Sequence, residues 1–237
     1  MSSKEFYFKK SKLLRVLNLN SYQGKNSSKD IGHFIHLRFL SLKNSNINQV
    51  PSFLGNLRCL HTLDLRLQYS LELDPKLRVP NVFKEMEWLR HLYLPYQYEV
   101  SEKLELGNLS YLQTLLNVRP KTIKMPRGFR FNYLQILGFI DKFYHPLLGV
   151  KTIEVPFVIT ILSSCPHIYK LVVEHRIKKL LETCQFPSNL AELDLKYIDL
   201  EEDPMPTLEK LPNLKILQTR GVESGGRSHS QSLPFEN

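Results

Sequence analysis

The sequence predicts an α/β solenoid, a stack of about nine irregular repeats, each made of one short strand and a returning segment; three observations predict it. The spacing L-x-x-L-x-L occurs strictly at Leu14, Leu17, Leu19; Leu37, Leu40, Leu42; Leu60, Leu63, Leu65; Leu89, Leu92, Leu94; and Leu190, Leu193, Leu195. Degenerate copies fill the gaps at Leu112, Leu115, Asn117; Leu134, Leu137, Phe139; Ile168, Leu171, Val173; and Leu214, Leu217, Thr219. The central residues recur at intervals of 23, 23, 29, 23, 22, 34, 22 and 24 residues. A local pattern repeated at a near-constant interval belongs to stacked units and has no reason to arise in one compact core.

Within each unit the second and third leucines stand two apart, so an extended strand points both to the same side, the interior. One unit cannot cover its own leucines, and its neighbours must. The strands then form a concave parallel sheet, the return segments a mostly irregular or short-helical convex side: a leucine-rich-repeat horseshoe. The interval of 34 residues, between Leu137 and Leu171, carries an insertion or a longer convex helix. The Asn or Cys that many such repeats place at the ninth position is replaced by Tyr22, Ser45, Gln68, Gln97, Pro120, Lys142, Arg176, Ile198 and Val222, so the array is expected to be irregular. Residues 1–12 form a short N-terminal segment, 13–220 the repeat domain, and the Gly/Ser-rich stretch 221–237 a disordered polar tail.

Residues beside the leucines face the opposite way, onto the concave sheet, where a partner can touch them. The candidate binding residues are Lys43, Asp64, Arg66, His91 and Tyr93 towards one end, and Lys170, Glu174, Glu192, Asp194, Lys196 and Arg220 towards the other. Between them the face is nearly apolar from Thr114 to Ile140, an exposed strip or one covered by loops.

The remaining composition narrows the function classes. A net charge of +9 raises nucleic acid as a partner. The basic residues are scattered over ends and turns, however, without a nucleic-acid-binding motif, so no nucleic-acid partner is expected. No apolar run reaches the ~18 residues of a membrane span. The charged N-terminus does not resemble a secretory leader, so a cytoplasmic location follows. Cys59, Cys165 and Cys184 have no paired spacing and are expected as buried reduced thiols. Phosphate-loop spacing is absent, and His33 and His36 have no ligand partners at metal-binding spacing. No catalytic residue, metal or cofactor is therefore expected, and the chain is not expected to be an enzyme.

The stretches "LRVLNL", "LRFLSLKNSNINQVPSFLGNLRCLHTLDLR", "MEWLRHLYLP", "LGNLSYLQTLLNV" and "QFPSNLAELDLKYIDLEEDPMPTLEKLPNLKIL" resemble the leucine-rich-repeat region of plant intracellular disease-resistance proteins of the coiled-coil, nucleotide-binding class. The resemblance runs over roughly residues 12–220 and is most specific at 186–214. It implies a protein-binding module of plant defence and innate immunity that senses a pathogen effector or a guarded host protein. A nucleotide-binding switch domain is a further candidate partner. In that family an ADP/ATP site lies in an upstream domain, whose motifs do not occur in these 237 residues. A truncated receptor fragment, a repeat-only decoy and a ubiquitin-ligase substrate adaptor are the alternatives.

Overall fold

The computed structural model describes residues 13–22, 29–47, 49–66, 77–140, 155–175, 177–197, 200–222 and 228–234. They form two compact units: one takes the described residues up to 117 together with 121–129, the other 118–120 with the described residues from 130 onward.

The first unit contains β1 (Val16–Asn18), β2 (Phe39–Ser41), β3 (Thr62–Asp64), β4 (His91–Tyr93), β5 (Leu104–Glu105), most of β6 (Thr114–Val118) and β7 (Ile123–Lys124). Strands β1, β2, β3, β4 and β6 lie side by side, all parallel, and the register places Leu17, Leu40, Leu63, Leu92 and Leu115 in one row. Strands β1 to β4 are three residues each, and the chain turns soon after them. At Ser21 and Asn44, each four residues past the central leucine, the backbone leaves the strand in the left-handed region, with φ of 59° and 56°. Short 3-10 turns such as Ser52–Asn56 and Phe83–Glu85 carry the chain back, and β5 pairs with β7 on that return side. From Leu37 to Leu115 every repeat leucine is buried, which at ~1.5–3 kcal/mol for each fully buried leucine makes this row the main source of stability.

The second unit contains β8 (Ile136–Ile140), α1 (Val155–Ser163), β9 (Lys170–Glu174), β10 (Glu192–Lys196), α2 (Met205–Leu208), β11 (Ile216–Val222) and β12 (Ser228–Pro234). Strands β8 to β11 are parallel, with Leu137, Leu171, Leu193 and Leu217 in one row. The long repeat between Leu137 and Leu171 holds α1, whose Val158, Ile161 and Leu162 are buried at helical spacing. The rest of that insertion lies outside the described residues.

Each unit is therefore a leucine-rich-repeat stack, as the periodicity predicts. The tail departs from expectation. In place of a disordered segment over its whole length, Ser228–Pro234 runs antiparallel along β11, from Ile216↔Pro234 to Val222↔Ser228. A sheet edge offers a row of unpaired backbone groups, and a polar segment that follows closely in the chain can satisfy them.

The cysteines also depart. All three are free, and only Cys165 is buried, its thiol pushed up to about 12 by burial, whereas Cys59 and Cys184 are exposed. Cys59 directly precedes the first leucine of its repeat, at the turn into the strand, so its side chain falls outside the inward row.

The missing ninth-position ladder has substitutes. Ser45 is buried and its hydroxyl donates to Leu42 O at 2.5 Å. Side-chain amides placed elsewhere bridge repeats: Asn108 donates to Lys84 O, Asn117 to Leu94 O and Asn213 to Ser188 O, at 2.8–2.9 Å.

Candidate functional site

The parallel register decides which side chains share the outer strand face, because residues flanking each inward leucine must point away from it. In the first unit Asp64, at the end of β3, receives both arms of Arg66: Nη2 donates to Oδ2 at 2.6 Å and Nε to Oδ1 at 3.0 Å. The Arg66 backbone N–H donates to the same Oδ1 at 3.1 Å. The hydrogen bonds that Arg66 donates to Asp64 raise the Arg66 pKa against the opposing effect of burial. Register then sets Tyr93 of β4 opposite Asp64, and the Arg66 guanidinium lies over the Tyr93 ring at 4.5 Å from its centroid. Asp64, Arg66 and Tyr93 thus form one rigid cluster, with the acid buried and the cation and ring half-buried.

His91 is on the same strand as Tyr93 but belongs to a different contact. Its Nδ1 lies 3.1 Å from Thr114 Oγ1 on β6, and its pKa is lowered by burial, then by Arg90 and His61. Lys43 stands past the end of β2, half-buried. Next to it Ser41 Oγ donates to Asn20 Oδ1 at 2.5 Å, a polar contact between repeats that the charge pattern of the sequence did not single out. Ser41 and Thr114 are buried at outer-face positions.

In the second unit the register aligns opposite charges. Lys170 is opposite Glu192 with Nζ to Oε2 at 2.7 Å, and Glu174 is opposite Lys196 at 3.1 Å. Asp194 is buried between these pairs, with Lys196 at 3.9 Å and Arg220 at 4.0 Å from its Oδ2. Its Oδ1 accepts no hydrogen bond among the described residues.

All eleven sequence-predicted residues therefore lie on or beside outer strand faces, but not as eleven equivalent contacts. Asp64 and Asp194 are buried and hold neighbouring cations, while Arg66, Tyr93, Lys170, Glu174, Glu192 and Lys196 form the half-buried surface. The apolar strip expected from Thr114 to Ile140 is largely covered within the fold: Thr114, Val118, Gly138 and Ile140 are buried, Leu116 and Ile136 half-buried. Among the described residues no group of three or more His, Cys, Asp or Glu could hold a metal ion, and no helix is long and apolar enough to cross a membrane.

Known proteins place this arrangement. A leucine-rich repeat region family matches residues 3–236. A putative disease resistance protein of Arabidopsis thaliana is 37% identical over 220 residues, which is 86% of this chain and 23% of that protein. The disease resistance protein RPP8 of the same plant is 33% identical over 228 residues, 87% of this chain and 25% of RPP8. The chain thus spans about a quarter of the length of these relatives. Among solved structures, an internalin of Listeria monocytogenes superposes with a TM-score of 0.51 at 14% identity, over 87% of this chain and 60% of the internalin, a likeness of fold alone. The chain belongs to the leucine-rich repeat region family, in the form it shares with plant disease resistance proteins.

Proposed function

We propose that the chain is the partner-recognising repeat module of an intracellular plant immune receptor. Its outer strand face senses a pathogen effector or a guarded host protein and restrains a nucleotide-binding switch domain until that partner arrives. The observation that carries this reading is the Asp64–Arg66–Tyr93 cluster: a guanidinium fixed by a buried acid and laid on an aromatic ring. Arg and Tyr are the residue types that dominate interface energetics, and a pre-ordered pair loses little side-chain freedom on binding. Relatives named for disease resistance support the defence role.

The test is co-expression in leaf tissue of the 237-residue chain with RPP8 from which the quarter that aligns with this chain has been removed. The chain is expected to co-purify with that remainder and to lower any cell death that the remainder causes when expressed alone. Arg66→Ala with Tyr93→Ala should abolish both effects, while Lys210→Ala, on an exposed return segment, should leave them intact. A wild-type chain that neither co-purifies nor lowers cell death would overturn the reading.

A further inference from the structure

The residue directly before each of the first four strands is Arg15, Arg38, His61 or Arg90. The Arg38 N–H donates to Arg15 O, the His61 N–H to Arg38 O and the Arg90 N–H to His61 O, each at 2.8 Å, so the four side chains leave consecutive rungs of one ladder. Adjacent rungs of a sheet are only ~4.8 Å apart. Sequence separations of 23, 23 and 29 residues thus become a continuous row of positive or titratable groups.

Among the described residues no side chain hydrogen-bonds or ion-pairs with Arg15, Arg38, His61 or Arg90. Among the acids of these repeats, Asp64 is engaged by Arg66 and Glu85 by Arg58 at 3.3 Å. The mutual repulsion is felt at His61, whose pKa is lowered by burial first, then by Arg90 and Arg38. The corresponding positions before β8 to β11 are Gln135, Tyr169, Ala191 and Lys215, so the row is a property of the first unit.

Beside the row lies a groove of about 300 Å³ lined by Arg15, His36, Arg38, Cys59, His61 and Trp88. Trp88 forms an aromatic wall. It is 51% exposed, yet its ring is held parallel to Tyr111, with centroids 5.4 Å apart and planes 1° apart.

We propose that this edge of the first unit is a second binding surface, and that its groove takes a phosphorylated side chain of a protein partner. Two guanidinium groups in so small a volume call for more than one negative charge on few atoms. A phosphate monoester carries close to two charges and three acceptor oxygens, which Arg forks grip in bidentate fashion, while a carboxylate offers one charge and satisfies one fork. The indole supplies a face for the apolar or aromatic part of the phosphorylated side chain. The groove admits one side chain and is too small for a folded surface. This site lies off the outer strand face and extends the proposed function to a partner's modification state.

The experiment titrates the 237-residue chain with a phosphotyrosine hexapeptide, its unphosphorylated form and a glutamate-substituted form, with AMP and oligodeoxythymidylate as alternative sources of phosphate. Saturable binding of the phosphopeptide is expected, at least tenfold tighter than either peptide control and either nucleotide probe. Arg38→Gln, Arg15→Gln and Trp88→Ala should each weaken it tenfold or more while leaving thermal melting unchanged. The His61 ring protons, followed by NMR, should titrate at higher pH in the saturated complex, because bound anion opposes the Arg38 and Arg90 fields. Absence of saturable binding, equal binding of the glutamate peptide, tighter binding of either nucleotide probe, or indifference to both arginine substitutions would each overturn the proposal.

Discussion

In the second unit the acids and bases of the outer face alternate across strands, Lys170 against Glu192 and Glu174 against Lys196; the first unit keeps its outer-face pair within one segment, Asp64 with Arg66, and at its edge Arg15, Arg38 and Arg90 form no ion pair among the described residues. Both units are built from the same inward leucines, so this difference is not dictated by the fold. It comes from positions whose side chains the core does not constrain. Where such positions are self-neutralised, a partner must displace or complement existing pairs. Where they are not, the surface is already short of an anion. The comparison therefore separates what holds each unit together from what each can bind, and it can be broken at both levels.

The strongest test concerns the shared part. Leu63 and Leu193 are both central leucines and both buried, so Leu63→Asp and Leu193→Asp should be alike. Each removes a packed side chain and places a carboxylate without a partner among leucines, a loss of at least ~4 kcal/mol. Urea denaturation followed by circular dichroism should show it as a large fall in midpoint or as loss of cooperative unfolding. A variant with an unchanged midpoint in either unit would mean that its leucine row does not carry the stability.

The row itself was legible in the sequence because the strand period of two and the repeat interval act together: a single shift in register would have turned Leu40 or Leu193 outward. The outer-face candidates were legible for the same reason. Pairing was only half legible. Opposite charges at 170 and 192 can be read as neighbours once the register is set, but the burial of Asp64 and Asp194 depends on how Arg66, Lys196 and Arg220 fold over them. The edge row was not legible. Arg15, Arg38, His61 and Arg90 stand alone along the chain, with no local charge run to mark them, and become a cluster only when stacking converts long separations into single strand spacings. The two exposed cysteines were misread because free cysteine is usually buried.

A second, smaller contrast sets Asp64 against Asp194. Both are buried acids at equivalent strand positions, but Asp64 receives a bidentate guanidinium and a backbone N–H, while Asp194 has cations only at 3.9 and 4.0 Å and one oxygen without a donor. Asp64→Ala should cost about 2 kcal/mol, since it removes three charge-assisted bonds and frees the guanidinium over Tyr93. Asp194→Ala should cost less, because removal of a poorly satisfied buried carboxylate also removes its desolvation penalty. Chemical denaturation of the two variants side by side measures the difference. Equal losses would show that the geometry of the two acids has no energetic meaning.

The smallest expected effect separates paired from unpaired surface charge. Lys170 and Glu192 are 36% and 29% exposed at 2.7 Å, so a double-mutant cycle between Lys170→Gln and Glu192→Gln should give a coupling of about 0.5 kcal/mol, as half-screened pairs do. High salt should reduce it, since ions screen exposed charges within a Debye length. Arg38→Gln should behave in the opposite sense. It removes a cation from a row that also holds Arg15 and Arg90, so stability should hold or rise slightly, and added salt should narrow the gap to wild type. A loss on Arg38→Gln as large as that on Lys170→Gln would mean that the edge cations are satisfied within the fold. In that case the first unit would have no unmet demand for an anion, and the two units would differ in sequence alone.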